Sequence, residues 1–146
     1  MAVKIKFVKV HPRVALPGYE SDGAAGMDVR AFLDSDVTIP PLGRARIPTG
    51  LRIEVPNGYE AQARPRSGLA ANSGITILNS PGTIDSDYRG DIEIILVNFG
   101  ENDVIIKDGQ RIAQLVISPV CRARAVQVDA LEKSARGSGG FGSTGA

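Results

Sequence analysis

Leu51-Arg-Ile-Glu-Val-Pro-Asn-Gly-Tyr-Glu-Ala-Gln-Ala-Arg64 is the stretch that decides the fold class. Leu51, Ile53 and Val55 alternate with Arg52 and Glu54, a period of two that buries one face of a strand and wets the other. Asn57-Gly58 predicts a tight hairpin turn, because both residues tolerate positive φ, and Tyr59 to Arg64 predicts the next strand. Outward from here the same short strand-like runs recur: Val3 to Val10, Asp28 to Phe32, Val37 to Ile39, Ile75 to Leu78, Ile92 to Phe99, Val104 to Ile106, Arg111 to Ile117 and Ala123 to Val128. Helix is predicted only over Ser67 to Asn72, where Leu69, Ala70 and Ala71 are good formers and Gly74 can end it. Short strands punctuated by Pro and Gly predict an all-β protein, a sandwich or a jelly-roll-like β-barrel.

With 146 residues and 42% hydrophobic content the chain suits one compact domain with a real core. The composition shifts once, at about Lys133, which divides the chain into a β-barrel body over 1–132 and a flexible Gly-rich arm over 133–146. A formal net charge of +1 leaves no broad basic field, so no nucleic acid polymer is expected as the main ligand. Val3, Ile5 and Phe7 alternate with Lys4 and Lys6, which predicts a strand rather than a signal peptide, and no apolar run reaches membrane-spanning length, so no membrane partner is expected. A reducing compartment fits, cytoplasmic, or nuclear or organellar in a eukaryote. Cys121, the single cysteine, is read as a small buried hydrophobe, and His11 as a surface or interface residue.

Five segments carry polar residues that a plain β-barrel does not need. Ala25-Gly-Met-Asp-Val-Arg-Ala31 sets Asp28 between a glycine turn and a strand, which alone reads as a turn or cap. Arg64-Pro-Arg-Ser-Gly-Leu-Ala70 frames Arg66 and Ser67 at the start of the helical turn, equally an anion cradle or a helix cap beside a solvated arginine. Asn79-Ser-Pro-Gly-Thr-Ile-Asp-Ser-Asp-Tyr-Arg-Gly90 caps a hairpin of buried strands and is longer than a reversal requires. It presents Asn79, Asp85, Asp87, Tyr88 and Arg89 at one tip, with Asp87 also readable as a turn residue. Gly109-Gln-Arg-Ile-Ala-Gln-Leu-Val116 places Arg111 and Gln114 in a strand-like run, where both also read as solvent-facing. The tail from Arg136 to Gly145 holds Gly137, Gly139, Gly140, Gly142 and Gly145 around Phe141, costly to order unless a ligand supplies contacts; in general such tails are flexible ends.

In this order the five segments resemble the trimeric deoxyuridine triphosphatase (dUTPase) family over essentially the whole chain. The likeness rests on Ala25-Gly-Met-Asp28, Pro65-Arg-Ser-Gly-Leu-Ala70, Gly82-Thr-Ile-Asp85 with Tyr88-Arg-Gly90, Arg111-Ile-Ala-Gln-Leu115 and Arg136-Gly-Ser-Gly-Gly-Phe-Gly-Ser-Thr144. Met27 departs from the aromatic residue that many members carry, which bears on packing and leaves the Asp28 carboxylate in place. The resemblance implies a dUTPase-like β-clip and hydrolysis of dUTP to dUMP and pyrophosphate, with water attacking the α-phosphorus. It makes Asp85 the general base and gives the α- and β-phosphates to Arg66, Ser67 and the N–H of Gly68, with a further contact from Gln114. Backbone groups of Gly82, Thr83, Ile84 and the strand near Glu93 would read uracil with the help of Asn79, and Tyr88 would pack on the deoxyribose. Arg136 would clamp the γ-phosphate, Phe141 would stack on the base, and Gly142, Ser143 and Thr144 would complete the closed arm. Mg²⁺ would be held mainly by the triphosphate, with Asp28 touching it through water at most. The family further implies a homotrimer whose three subunits share each active site, and a cellular role of supplying dUMP for thymidylate while limiting uracil in DNA. Two rivals differ in class: a deoxycytidine triphosphate deaminase, which shares the fold, and a non-catalytic nucleotide-binding β-barrel. Tyr88 and the phenylalanine-bearing tail argue against the first, and an intact Asp85 against the second.

Overall fold

The computed structural model describes residues 2–143 and Gly145. It contains β1 Lys6–Lys9, β2 Met27–Arg30, β3 Val37–Ile39, β4 Arg44–Glu54, β5 Tyr59–Arg64, α1 Ser67–Ser73, β6 Ile75–Ile77, β7 Gly82–Ile84, β8 Asp91–Asn98, β9 Val104–Ile106 and β10 Arg111–Pro119. One four-stranded sheet runs β1-β4-β8-β6, a second runs β2-β10-β5-β7, and β3 pairs with β9 as a separate ribbon. Every pairing is antiparallel. The all-β, jelly-roll-like architecture read from the sequence is present, with the sheets left as two rather than closed into one continuous barrel. Among the described residues no helix is long and apolar enough to cross a membrane.

Both sheets turn their alternate apolar positions into one core. Ile47, Leu51 and Ile53 of β4 and Ile94 and Leu96 of β8 are buried from one sheet, and Val29, Ala61, Ile112 and Leu115 from the other. Each of the larger side chains contributes about 1.5–3 kcal/mol relative to exposure, so the core rather than any surface pair holds the strands. Asn98 is fully buried and satisfied: its amide donates to the carbonyls of Ile39 and Asn102, and its oxygen accepts from Gly100 N–H. The predicted helix is there as α1, ended by Gly74 at φ 67°, a position where an added Cβ would lie 2.7 Å from Gly100 Cα.

Several expectations need correction. The turn at Asn57-Gly58 exists, but β4 and β5 lie in different sheets and do not form a hairpin. Only Gly58 has positive φ, and Tyr59 N–H donates to Pro56 O at 3.2 Å, the pattern of a type II turn, which splays its flanking strands where a type I′ turn would pair them. The alternation predicted from Leu51 onward belongs to a longer strand whose first half, Arg44 to Gly50, lies outside the predicted runs and carries Pro48 and Gly50, residues that ordinarily interrupt a strand. The β4–β8 register shifts between Pro48 and Arg52, so the sheet absorbs both residues as an irregularity. Among the described residues Ala123 to Val128 forms no strand, because past Pro119 the segment has no ladder partner within the chain. Cys121 lies in the same stretch and is exposed rather than buried.

Candidate active site

The hairpin β6–β8 pairs Ile75 with Asn98 and Ile77 with Leu96, as the buried apolar runs predict. Its long connection is not a plain loop. It sends β7 across to the other sheet, where Gly82 pairs with Ala63 and Ile84 with Ala61. Between β7 and β8 this detour leaves a pocket of about 180 Å³, less than the ~300 Å³ typical of a drug-sized ligand and therefore sized for one ring system. Ala63, Ile77, Ile92 and Ile94 make its apolar part, and Asn79, Thr83, Asp85, Tyr88 and Glu93 its polar rim. Gly82 is buried there, with space for a Cβ limited at 3.3 Å by both Ala63 Cβ and the Asn79 amide nitrogen.

The backbone of β8 is left free where the pocket needs donors and acceptors. Leu78 N–H donates to Ile95 O at 2.9 Å on the β6 edge, and Thr49 Oγ1 donates to Ile92 O at 2.7 Å on the β4 edge. Antiparallel alternation therefore turns the N–H and C=O of Glu93 to the β6 edge, where β6 has already ended. The Glu93 carboxylate is engaged elsewhere, accepting from Arg46 Nε at 2.8 Å. Asp85 is exposed at the end of β7, and Tyr88 N–H donates to Asp85 O at 3.2 Å to close the turn.

A second group forms around Asp28. Its side chain is only 13% exposed, with Oδ1 accepting from Arg66 Nε at 3.2 Å and Oδ2 from Arg111 Nη1 at 3.0 Å. Gln114 stands opposite Asp28 on β2 and Arg64 on β5, and its amide donates to Pro65 O at 3.0 Å. Gly26 makes this possible, since a Cβ there would lie 2.9 Å from Gln114 Cδ. Arg66 takes the extended conformation at the N-cap of α1 with no capping hydrogen bond from a side chain, and Ser67 is exposed at the first position of the helix. Arg111 was read from the sequence as a motif residue that could equally face solvent; it is instead tied to Asp28. Its partner stands 83 residues earlier, and the one signal for the pair was that both belong to the recognised segments.

The tail is the third group. Arg136 Nε donates to Gly139 O at 2.7 Å, Gly137 N–H to Ser134, and Ser143 N–H to Gly140 O. These bonds are local turns, with Gly137 and Gly142 at positive φ and Phe141 fully exposed. Thr144 lies outside the described residues. Of the predicted residues, Asn79, Gly82, Thr83, Ile84, Asp85, Tyr88 and Glu93 meet at one pocket, while none of Arg66, Ser67, Gly68 and Gln114 lines it. Strand β5 links the two groups, pairing with β7 on one side and β10 on the other.

Among the described residues no cluster of three or more His, Cys, Asp or Glu side chains could hold a metal ion. Both Asp28 oxygens already accept from arginines. The donor set thus fits a cation carried by substrate phosphates and water, not one held by a protein cage.

The dUTPase family model matches residues 13–145. The deoxyuridine 5′-triphosphate nucleotidohydrolase of Rhizobium etli strain CIAT 652 is 58% identical over 132 residues, covering 89% of this chain and 85% of that protein. The enzyme of the same name from Bdellovibrio bacteriovorus is 55% identical over 145 residues, covering 99% and 97%. Among solved structures, the Staphylococcus bacteriophage 80alpha dUTPase with dUPNHPP superposes with a TM-score of 0.88 at 26% identity, covering 98% of this chain and 99% of that one. A mutant dUTPase from phage phi11 of S. aureus, described for its coordination of a structural Mg(II) ion, shares the fold with a TM-score of 0.79 at 22% identity. A family match over almost the whole length, joined to relatives above half identity, means that the chain belongs to the dUTPase family of dUTP-hydrolysing enzymes.

Proposed function

We propose that the protein hydrolyses dUTP to dUMP and pyrophosphate, with Asp85 activating the water that attacks the α-phosphorus. The observation that carries this reading is the pocket between β7 and β8, with a free backbone edge at Glu93, the Asn79 amide, and Asp85 and Tyr88 on its rim. Uracil presents a fixed pattern of one N–H between two carbonyls. The backbone of Gly82 to Ile84 and of Glu93, with Asn79, offers matching donors and acceptors, and buried polar groups left unpaired by another base reject it strongly. Cytosine reverses one exocyclic group, and thymine adds a methyl group for which a tight hairpin has no room. Tyr88 stands where a sugar leaving this pocket passes, and its ring leaves no room for a 2′-hydroxyl.

Asp85 accepts the proton of water as that water attacks, a role for one exposed carboxylate within hydrogen-bond reach. Arg66, Ser67 and the N–H of Gly68 hold the α- and β-phosphates, so charge growing on the bridging oxygen meets a guanidinium as that bond breaks. Asp28 holds Arg66 and Arg111 as their counter-ion, and any contact it makes with a metal passes through water. Gln114 supplies a phosphate contact beside Pro65. Mg²⁺, bound by the triphosphate, would offset its negative charge. Arg136 clamps the γ-phosphate, Phe141 covers the base, and Gly142, Ser143 and Thr144 complete a closed arm over 133–146 that excludes water.

The hairpin group and the Arg66 group occupy separate places in one chain, which supports a homotrimer in which one copy supplies the hairpin, another Arg66, Ser67 and Gln114, and a third the tail. Light scattering tests it, and a stable active monomer would overturn it. In a cytoplasmic setting the enzyme would supply dUMP for thymidylate and keep uracil out of DNA.

Product chromatography after incubation with Mg²⁺ and, separately, dUTP, dCTP, dTTP and UTP tests the activity, with Asp85→Asn as control. Formation of dUMP and pyrophosphate from dUTP alone, lost in the control, is the expected result. Conversion of dCTP to dUTP would mean a deaminase, and no turnover a binding protein.

A further inference from the structure

Tyr88 is held at the pocket rim from two ends. Its backbone N–H closes the turn onto Asp85 O, and its hydroxyl donates to Asp91 O at 2.9 Å. Asp91 is itself anchored, because it pairs with Arg52 across β4–β8 and its carboxylate accepts from Arg52 Nε at 2.7 Å. Against the hydroxyl end of the ring lies Gly90. A Cβ on this glycine would stand 2.6 Å from Tyr88 Cζ and 3.0 Å from Cε2, and closer still to the hydroxyl. Gly90 is not among the residues with positive φ, so its backbone conformation is open to alanine. The space taken by the tyrosine ring is what calls for glycine here.

We infer that Gly90 is a positioning residue for sugar discrimination: its missing side chain lets Tyr88 lie back on Asp91 and form the wall that separates deoxyribose from ribose. The inference rests on the reading of Tyr88 given above. A methyl group at position 90 strikes the far end of a side chain and not the backbone, so the ring leaves its hydrogen bond to Asp91 while the strands stay paired.

The test is a double-mutant cycle of Gly90→Ala and Tyr88→Ala, reading kcat/KM for dUTP and for UTP. Gly90→Ala is expected to lower the dUTP-to-UTP ratio by about tenfold or more, the scale on which one misfitted group is read in a pocket. In the Tyr88→Ala background the same change is expected to have no further effect, because no ring remains to displace. A ratio that falls with Tyr88→Ala but holds with Gly90→Ala would overturn the inference and leave the Tyr88 reading intact. A ratio unmoved by Tyr88→Ala would overturn that reading, and the inference with it. Should Gly90→Ala fail to fold, the double variant must fold; its unfolding would also overturn the inference, by showing that the methyl strikes something besides the ring.

Discussion

The hairpin of β6, β7 and β8 and the tail beyond Lys133 carry site residues of equal standing in the sequence, yet the chain treats them in opposite ways. The hairpin is finished within one polypeptide: Gly82 and Ile84 are paired to β5, Ile77 to β8, and Tyr88 is pinned to Asp91. In the tail, by contrast, the hydrogen bonds among the described residues run locally between positions 134 and 145, and Phe141 is fully exposed. The difference teaches where recognition and closure lie. On the proposed reading, the groups that would read the ring are preorganised by the core, so their ordering cost falls on folding, whereas the tail groups would be ordered by the ligand that they close over.

Removing the chemistry while keeping the recognition is the largest expected effect. Asp85→Asn should lower kcat by about 10²–10⁴-fold with KM nearly unchanged, measured as pyrophosphate release, because the amide cannot take the proton of water. A comparable rise in KM would show that Asp85 belongs to binding, and would blur the line between the hairpin and the tail.

Deleting everything after Lys133 should lower kcat/KM by about 10²-fold, since misplaced phosphates cost on that order, while leaving the thermal midpoint unmoved. A drop in the midpoint would break the comparison directly, as it would make the tail part of the folded body. Phe141→Ala sharpens it further. Loss of stacking on one base predicts a decrease of about tenfold in kcat/KM for dUTP, with the circular dichroism spectrum unchanged.

The smallest effect concerns acid stability, and should belong to the body alone. Asp108 accepts from Leu33 N–H and from Arg13, which together hold its carboxyl below its ordinary value of 3.8. The stabilisation is therefore fully present above the ordinary carboxylate range and is lost as pH falls through 3.8 towards the lower folded value. Asp108→Asn should flatten the acid limb of thermal stability measured from pH 6 downward. The tail deletion should leave that limb as it is, and a shift on deletion would tie Asp108 to the tail.

Much of the β architecture was legible, and the reasons are local. Alternation at Leu51 to Val55 needs only neighbours two apart, and Gly74 ends α1 because its own backbone takes φ 67°. The Asn57-Gly58 turn was legible as a turn but not as to what it joins, since the partners of β4 and β5 lie far along the chain. Pro48 and Gly50 obscure half of β4 because a strand takes them in at a bulge of its own, and that bulge shows only in the pairing with β8, where the four steps from Pro48 to Arg52 face the two from Glu93 to Asp91. In the site, the pocket residues Asn79, Gly82, Thr83, Ile84, Asp85 and Tyr88 stand together in one segment and so are legible as a group, whereas Ala63, Ile77, Ile92 and Ile94 join them only through strand pairing. Arg111 was not given its role, for the bond that defines it reaches back to Asp28. Arg46, which occupies the Glu93 carboxylate, carries no signal at all in the sequence.

By itself, then, the sequence determined the all-β class, the one short helix, the order of the five polar segments and the family to which they belong, because each is a property of residues close together in the chain. Only the tertiary structure decided that β7 leaves its own hairpin to join β5, that Asp28 is shared by two arginines, and that Gly90 makes room for Tyr88. Those outcomes depend on which backbones meet across the core, and steric exclusion and charge pairing act between atoms in space regardless of their separation along the chain.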